Sequence, residues 1–228
     1  MKKYLSVLLT LVLLLSFSSS VFAQEENRAD AQALASALVQ SQDAQSLWSS
    51  YSDEEKLAVK EFASQATSLL EQYAAEGTRS KTLSAKTANL SNDEALAVAV
   101  SLVQVDISEK DITLLAAGTY TYGREVEGTN LVGGVLWRLT HSIEWNVKSN
   151  GYLDRANRTI TPYVATWALG WSYNGTTTDQ QEGGVGWNYY QSDVVGNFRF
   201  DILEQPVQNR YPRIWLQGWA DGTVYYQH

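Results

Sequence analysis

The chain contains no cysteine. Disulfides, zinc–thiolate centres and thiol nucleophiles are therefore all excluded, and any exported form must be held by its own core. Histidine is almost as scarce, with two residues in 228. His228 is the last residue, and His141 has no His-x-x-x-His partner, so a metal site has little to draw on. No Gly-x-Ser-x-Gly elbow occurs, and Gly183-Gly184-Val185-Gly186 lacks the lysine and following helix of a phosphate cradle. It reads instead as a bulge or loop leading into Trp187. The sequence thus points to no catalytic residue, no metal and no cofactor. Basic runs are missing too, and the net charge is −8, which argues against nucleic acid as a partner.

No apolar run is long enough for a membrane-spanning helix, which needs roughly 18 to 20 residues. The largest, Leu5–Leu15, follows Lys2 and Lys3 and precedes a serine cluster and Val21-Phe22-Ala23. That order of charge, short apolar stretch and small residue is a secretory signal pattern covering 1–23, of a bacterial type. The expectation is a secreted or periplasmic protein starting near Gln24, with no stable membrane insertion. Without Lys2 and Lys3, 15 basic residues face 25 acidic ones.

Glycine, proline and aromatics are unevenly spread. Residues 24–116 have one glycine (Gly77), no proline and four aromatics, whereas residues 117–228 have 14 glycines, all three prolines and 19 aromatics. Alanine-rich, glycine-poor sequence favours helix, and aromatics broken by glycine favour strands and turns. The expectation is α+β: an α-helical region over 24–116, then an aromatic-rich antiparallel β domain over 117–228, hairpin-connected as a sandwich or barrel.

In the first region, Ser52-Asp53-Glu54-Glu55 and Ser91-Asn92-Asp93-Glu94 are capping boxes. The first opens a stripe of Ala58, Phe62, Ala66, Leu69, Leu70 and Tyr73 that ends at Gly77. The second opens an apolar run through Val103, predicting a buried helix. The segments 51–59 and 90–98 echo one another, which reads as two helices with similar start signals. A further helix is expected over about 29–47.

In the second region, Val135–Val147 alternates. Val135, Trp137, Leu139, His141, Ile143, Trp145 and Val147 occupy one face, and the other includes Arg138, Thr140, Ser142, Glu144 and Asn146. Asn150-Gly151 then marks a tight turn. Tyr163–Tyr173, closed by Asn174-Gly175, reads as another strand, with Trp167 and Trp171 on its buried face. Phe198–Ile202 and Ile214–Ala220 follow, the latter closed by Asp221-Gly222. His141 reads as a core histidine.

The strand Ile214–Ala220 reverses the usual arrangement. Its aliphatics Ile214, Leu216 and Ala220 form the natural core face, which leaves Trp215 and Trp219 on a polar side with Arg213, Gln217 and Asp221. Rings beside hydrogen-bonding side chains suit a ligand surface. Trp215, Trp219, Gln217 and Asp221 are the candidate ligand-binding residues, and the favoured reading is a non-catalytic exported binding protein. Its partner would be a polysaccharide, or another envelope or surface protein. Two other readings stand beside it. One is a secreted glycoside hydrolase drawing two carboxylates from Glu144, Asp154, Asp201 and Glu204. The other is a precursor with a removable helical pro-region and a β effector. A calcium site from Asp179, Glu182 and Asp193 has the right donor type but no motif spacing.

Overall fold

A computed structural model describes residues 24–75, 90–116, 119–202 and 205–227. The signal pattern of residues 1–23, the stop at Gly77, Glu204 and His228 lie outside them. Among the described residues, five helices are followed by nine antiparallel strands in two sheets, an α+β layout dominated by its β unit. The chain divides into two compact units after Val103.

The helical unit holds α1 (Gln24–Gln40), α2 (Ala44–Ser50), α3 (Asp53–Ser64), α4 (Thr67–Ala75) and α5 (Asn92–Ser101). Both capping boxes form. The Ser52 hydroxyl accepts from the Glu55 amide while Glu55 accepts from the Ser52 amide, and Ser91 and Glu94 do the same. Satisfying these orphan donors is what starts each helix where the sequence says it should. Two expected helices are each split. Asp43 caps α2 afresh, breaking the 29–47 stretch, and the 53–75 stretch breaks at Gln65-Ala66. Of the expected apolar stripe, Phe62, Ala66, Leu70 and Tyr73 are buried across the break, Ala58 and Leu69 are half-buried, and Val59, outside the expected stripe, is buried as well. The α5 segment is buried along Ala97, Val98 and Val100, and the Ser101 hydroxyl bonds to Ala63 O at 3.0 Å.

The β unit begins earlier than composition suggests. Residues 104–116, expected to be helical, form β1 (Gln104–Ala116). This strand has no glycine and no aromatic, and neither of its faces is cleanly apolar, so it carries no period-two signal. Asp111 pairs with Arg124, and the face they share also holds Glu109. Arg124, buried at 8% exposure, binds Glu109 at 2.8 Å and Asp111 at 2.9 Å. Ion pairing replaces the apolar contacts that a sequence pattern would detect.

One sheet runs β1–β2–β3–β4, with β2 Thr119–Asn130, β3 Val135–Val147 and β4 Leu153–Val164. The other runs β5–β6–β8–β9, with β5 Trp171–Gly183, β6 Tyr189–Ile202, β8 Arg213–Trp219 and β9 Val224–Gln227. The remaining strand, β7 (Gln205–Arg210), pairs with the far half of β6. The sheets stack as a sandwich. The β3 alternation holds, with Trp137, Leu139, His141, Ile143 and Trp145 all buried. Trp137 stacks on Phe198 at 4.7 Å, and Trp171 on Phe200 at 5.4 Å. A tryptophan ring buries roughly 150–250 Å², so at ~25 cal/mol per Å² each contributes about 4–6 kcal/mol of gross burial.

The reading of Tyr163–Tyr173 as one strand is corrected. Tyr163 lies one residue before the end of β4 and is exposed, residues 165–170 turn between sheets, and Trp171 opens β5 in the core. Trp167 is half-buried in that turn rather than in a strand core. Asn174-Gly175 does not close a hairpin. It is an irregularity inside β5, where pairing jumps from Tyr173–Phe198 to Thr176–Gly196 and Gly175 takes φ 93°. A positive φ serves a bulge as readily as a turn.

Candidate functional site: an aromatic face on the second sheet

The site is built from β6 and β8, and strand register decides its membership. Tyr189 pairs with Trp219, Gln191 with Gln217, and Asp193 with Trp215. Their neighbours Tyr190, Ser192, Ile214 and Leu216 are buried, so the first set faces outward. Trp215, Gln217 and Trp219 are half-buried and Asp221 is exposed. The four residues expected from the sequence therefore lie along the outward side of β8 and its turn.

Trp219 is held from behind. The Trp145 indole crosses from the first sheet and donates to Trp219 O at 2.9 Å. Its ring passes over Gly218, where a Cβ would come within 2.6 Å of it. That close approach requires glycine there. The Trp219 indole in turn donates to Gln217 Oε1 at 3.0 Å, and Gln217 Nε2 donates to Gln191 Oε1 at 3.3 Å. The two amides thus form a fixed chain along the face.

The ring cluster is larger than the sequence indicates. Tyr189 packs on Trp219 at 5.3 Å, and Trp187 meets Tyr189 edge-on at 5.6 Å. Trp187 is 53% exposed but not loosely held. Its carbonyl accepts from Leu153 N at 2.8 Å, Gly186 N donates to Leu153 O at 2.9 Å, and Ala220 N donates to Asn188 O at 2.8 Å. Gly184 and Gly186, at φ 103° and 85°, shape this loop. The glycine-rich segment presents an aromatic ring and holds no phosphate motif.

Beside the rings, the Tyr189 hydroxyl donates to Glu182 Oε1 at 2.7 Å, which raises the phenol's pKa. Glu182 pairs with Gln191, completing a row with Gln217 and Tyr225. Asp221 accepts from Thr223 N at 2.9 Å, which lowers its pKa and keeps it ionised. Farther along, Asp193 is held by Arg213 through two bonds at 3.0 and 2.8 Å.

Trp187, Tyr189 and Gln191 are not among the ligand-binding residues expected from the sequence, and Glu182 enters there only as a calcium donor. The alternation of Tyr189, Gln191 and Asp193 against Tyr190, Ser192 and Val194 was a usable signal. The pairing of β6 with β8, which gives it meaning, is not written in either strand alone.

Of the hydrolase candidates, Glu144 and Asp201 do not meet. Glu144 faces outward on the first sheet in a shallow depression of about 210 Å³, lined by Thr121, Ser142, Asn157 and Thr159, and pairs with Arg155 at 3.1 Å. Asp201 lies on β6 beside buried Phe200, facing outward from the second sheet, and pairs with Arg199 at 2.5 Å. The two carboxylates occupy opposite outer faces of the sandwich. Asp154 is the extra residue at the bulge between Leu153 and Arg155. The calcium donors also separate. Asp179 pairs with Val194 on the inner face and binds Arg158, while Glu182 and Asp193 point outward. Among the described residues no group of three or more acids or histidines is placed to hold a metal ion.

His141 lies in the core as expected. Its Nδ1 is 3.2 Å from Ile214 O, so Nδ1 carries the proton and donates. Burial pushes its pKa down to about 4, against the smaller upward pull of the Ile214 carbonyl. No family model, no curated protein and no solved structure matches the chain.

Proposed function

We propose that this chain is an exported, non-catalytic binding protein whose β unit takes a polysaccharide on the outward face of β6 and β8. The observation that carries the reading is the contiguous set Trp187, Tyr189 and Trp219, flanked by the hydrogen-bonded amides of Gln191 and Gln217. Sugar rings present apolar faces and hydroxyl edges. Aromatic rings stack against the former, and amides bond the latter. The support is layered: Trp145 fixes the Trp219 backbone, and the Leu153 pairings fix Trp187. A pre-ordered surface loses little entropy on binding. The separation of Glu144 from Asp201 favours binding over paired-carboxylate hydrolysis.

Affinity electrophoresis of the full chain through gels containing soluble polysaccharides tests this. Wild-type protein should be retarded by at least one polymer. Trp187→Ala should abolish the retardation while leaving the melting temperature within about 2 °C, because an exposed ring contributes little to stability. Unaltered retardation in both Trp187→Ala and Trp219→Ala would overturn the proposal, as would migration unaffected by any polymer.

A further inference from the structure

We infer that the sugar held at this end of the sheet bears a protonated amine, with Glu182 as the residue that selects it. The inference rests on the polysaccharide reading above and adds the ligand's charge to it. Glu182 is exposed, and the Tyr189 hydroxyl holds its carboxylate beside the Tyr189 ring. A second carboxylate, Asp221, whose pKa the Thr223 amide lowers, sits in the turn that follows Trp219. Residues 182–191 and 217–227, which supply both carboxylates and all three rings, contain no lysine or arginine. Elsewhere on the same outer face the arginines are neutralised, Arg213 by Asp193 and Arg199 by Asp201.

The segments that carry the rings are therefore negative, and the β3–β4 turn that pins Trp187 adds Lys148 against Asp154 and an Arg155 paired with Glu144, so it leaves that sign unchanged, while the rest of the face is balanced. An ammonium group placed against Tyr189 and Trp187 would meet a carboxylate and the electron-rich faces of two rings together. A uronate, sulfate or phosphate in that place would meet two like charges. The Gln191 and Gln217 amides bond hydroxyls in either case, so the discrimination falls to the acids.

Titration calorimetry of the full chain at pH 5.5 and low salt, against three oligosaccharides of equal length, tests the inference. The probes are deacetylated glucosamine, N-acetylglucosamine and galacturonate oligomers. The deacetylated oligomer should bind tightest and the galacturonate oligomer should not bind. Glu182→Gln should weaken the deacetylated oligomer about two- to fivefold, the range of an exposed ion pair. The same substitution should leave the N-acetylated oligomer unchanged. Raising the salt to 0.5 M should narrow the preference in wild-type protein. Equal affinity for the first two oligomers, or a Glu182→Gln variant that keeps the wild-type preference, overturns the inference and leaves the polysaccharide reading intact. Failure to bind any of the three, together with unretarded migration in every polysaccharide gel, removes both.

Discussion

His141 shows how one buried side chain sets a property of the whole fold. Its ring lies between the sheets, where charging it would place an ion in apolar surroundings, and its pKa is about 4. An unfolded histidine takes its proton near pH 6.5. Below that value the unfolded state binds a proton that the folded state refuses, so stability falls as pH drops from about 6.5 toward 4. The loss amounts to roughly 3 kcal/mol once both values are passed. Glutamine can still donate to Ile214 O but does not titrate. Urea unfolding at pH 7.0 and pH 4.5 should therefore show a smaller loss of stability in His141→Gln than in wild-type protein. Parallel losses would place the acid sensitivity on the paired carboxylates, such as Asp179, whose pKa Arg158 lowers.

At the scale of elements, the helix starts make the sharpest prediction. Each capping box satisfies two orphan amides with one serine and one glutamate. Ser52→Ala and Ser91→Ala should each cost about 1 kcal/mol, while Ser52→Asp should cost much less, since aspartate also accepts from the helix amides. Denaturant midpoints of the helical signal would register both. These starts were legible because a capping box is a local device, complete within four residues. The β3 strand was legible for a similar reason, its alternation of buried and half-buried residues running from Trp137 to Trp145. β1 was hidden because its partner Arg124 is distant in sequence and turns two acids into acceptable neighbours. Asn174-Gly175 misled because the dipeptide reports a backbone angle, and that angle fits a bulge inside a strand as well as a turn between two. The candidate site was half legible on the same grounds: β8 announced its outward tryptophans, but Trp187 and Tyr189 joined them only through register and a pinned loop.

At the scale of the molecule, composition and compactness place the division at different points. Glycine and aromatic content change at about residue 116, whereas the compact units part after Val103. The 13 residues of β1 decide between them. β1 pairs with β2 along nearly its whole length, and its first residue is clamped. Gln208 accepts from Gln104 N at 3.0 Å and donates to Gln104 O at 3.3 Å, and Arg210 donates to Gln104 Oε1 at 2.7 Å. Gln104 and Gln208 are both buried, so removing one leaves the other's polar atoms without partners in a place water does not reach. A fragment beginning at Gln104 should therefore unfold cooperatively and keep the polysaccharide retardation of the full chain. A fragment beginning at Ala117 lacks β1, leaves the β2 edge and Arg124 exposed, and strands the Gln208 amide. It should aggregate, or melt at least 10 °C lower, because several kcal/mol are lost from a domain of this size. Thermal unfolding followed by circular dichroism on the two fragments separates these outcomes. Equal stability would mean that β1 belongs to neither unit's cooperative core, and that the compositional boundary is the physical one.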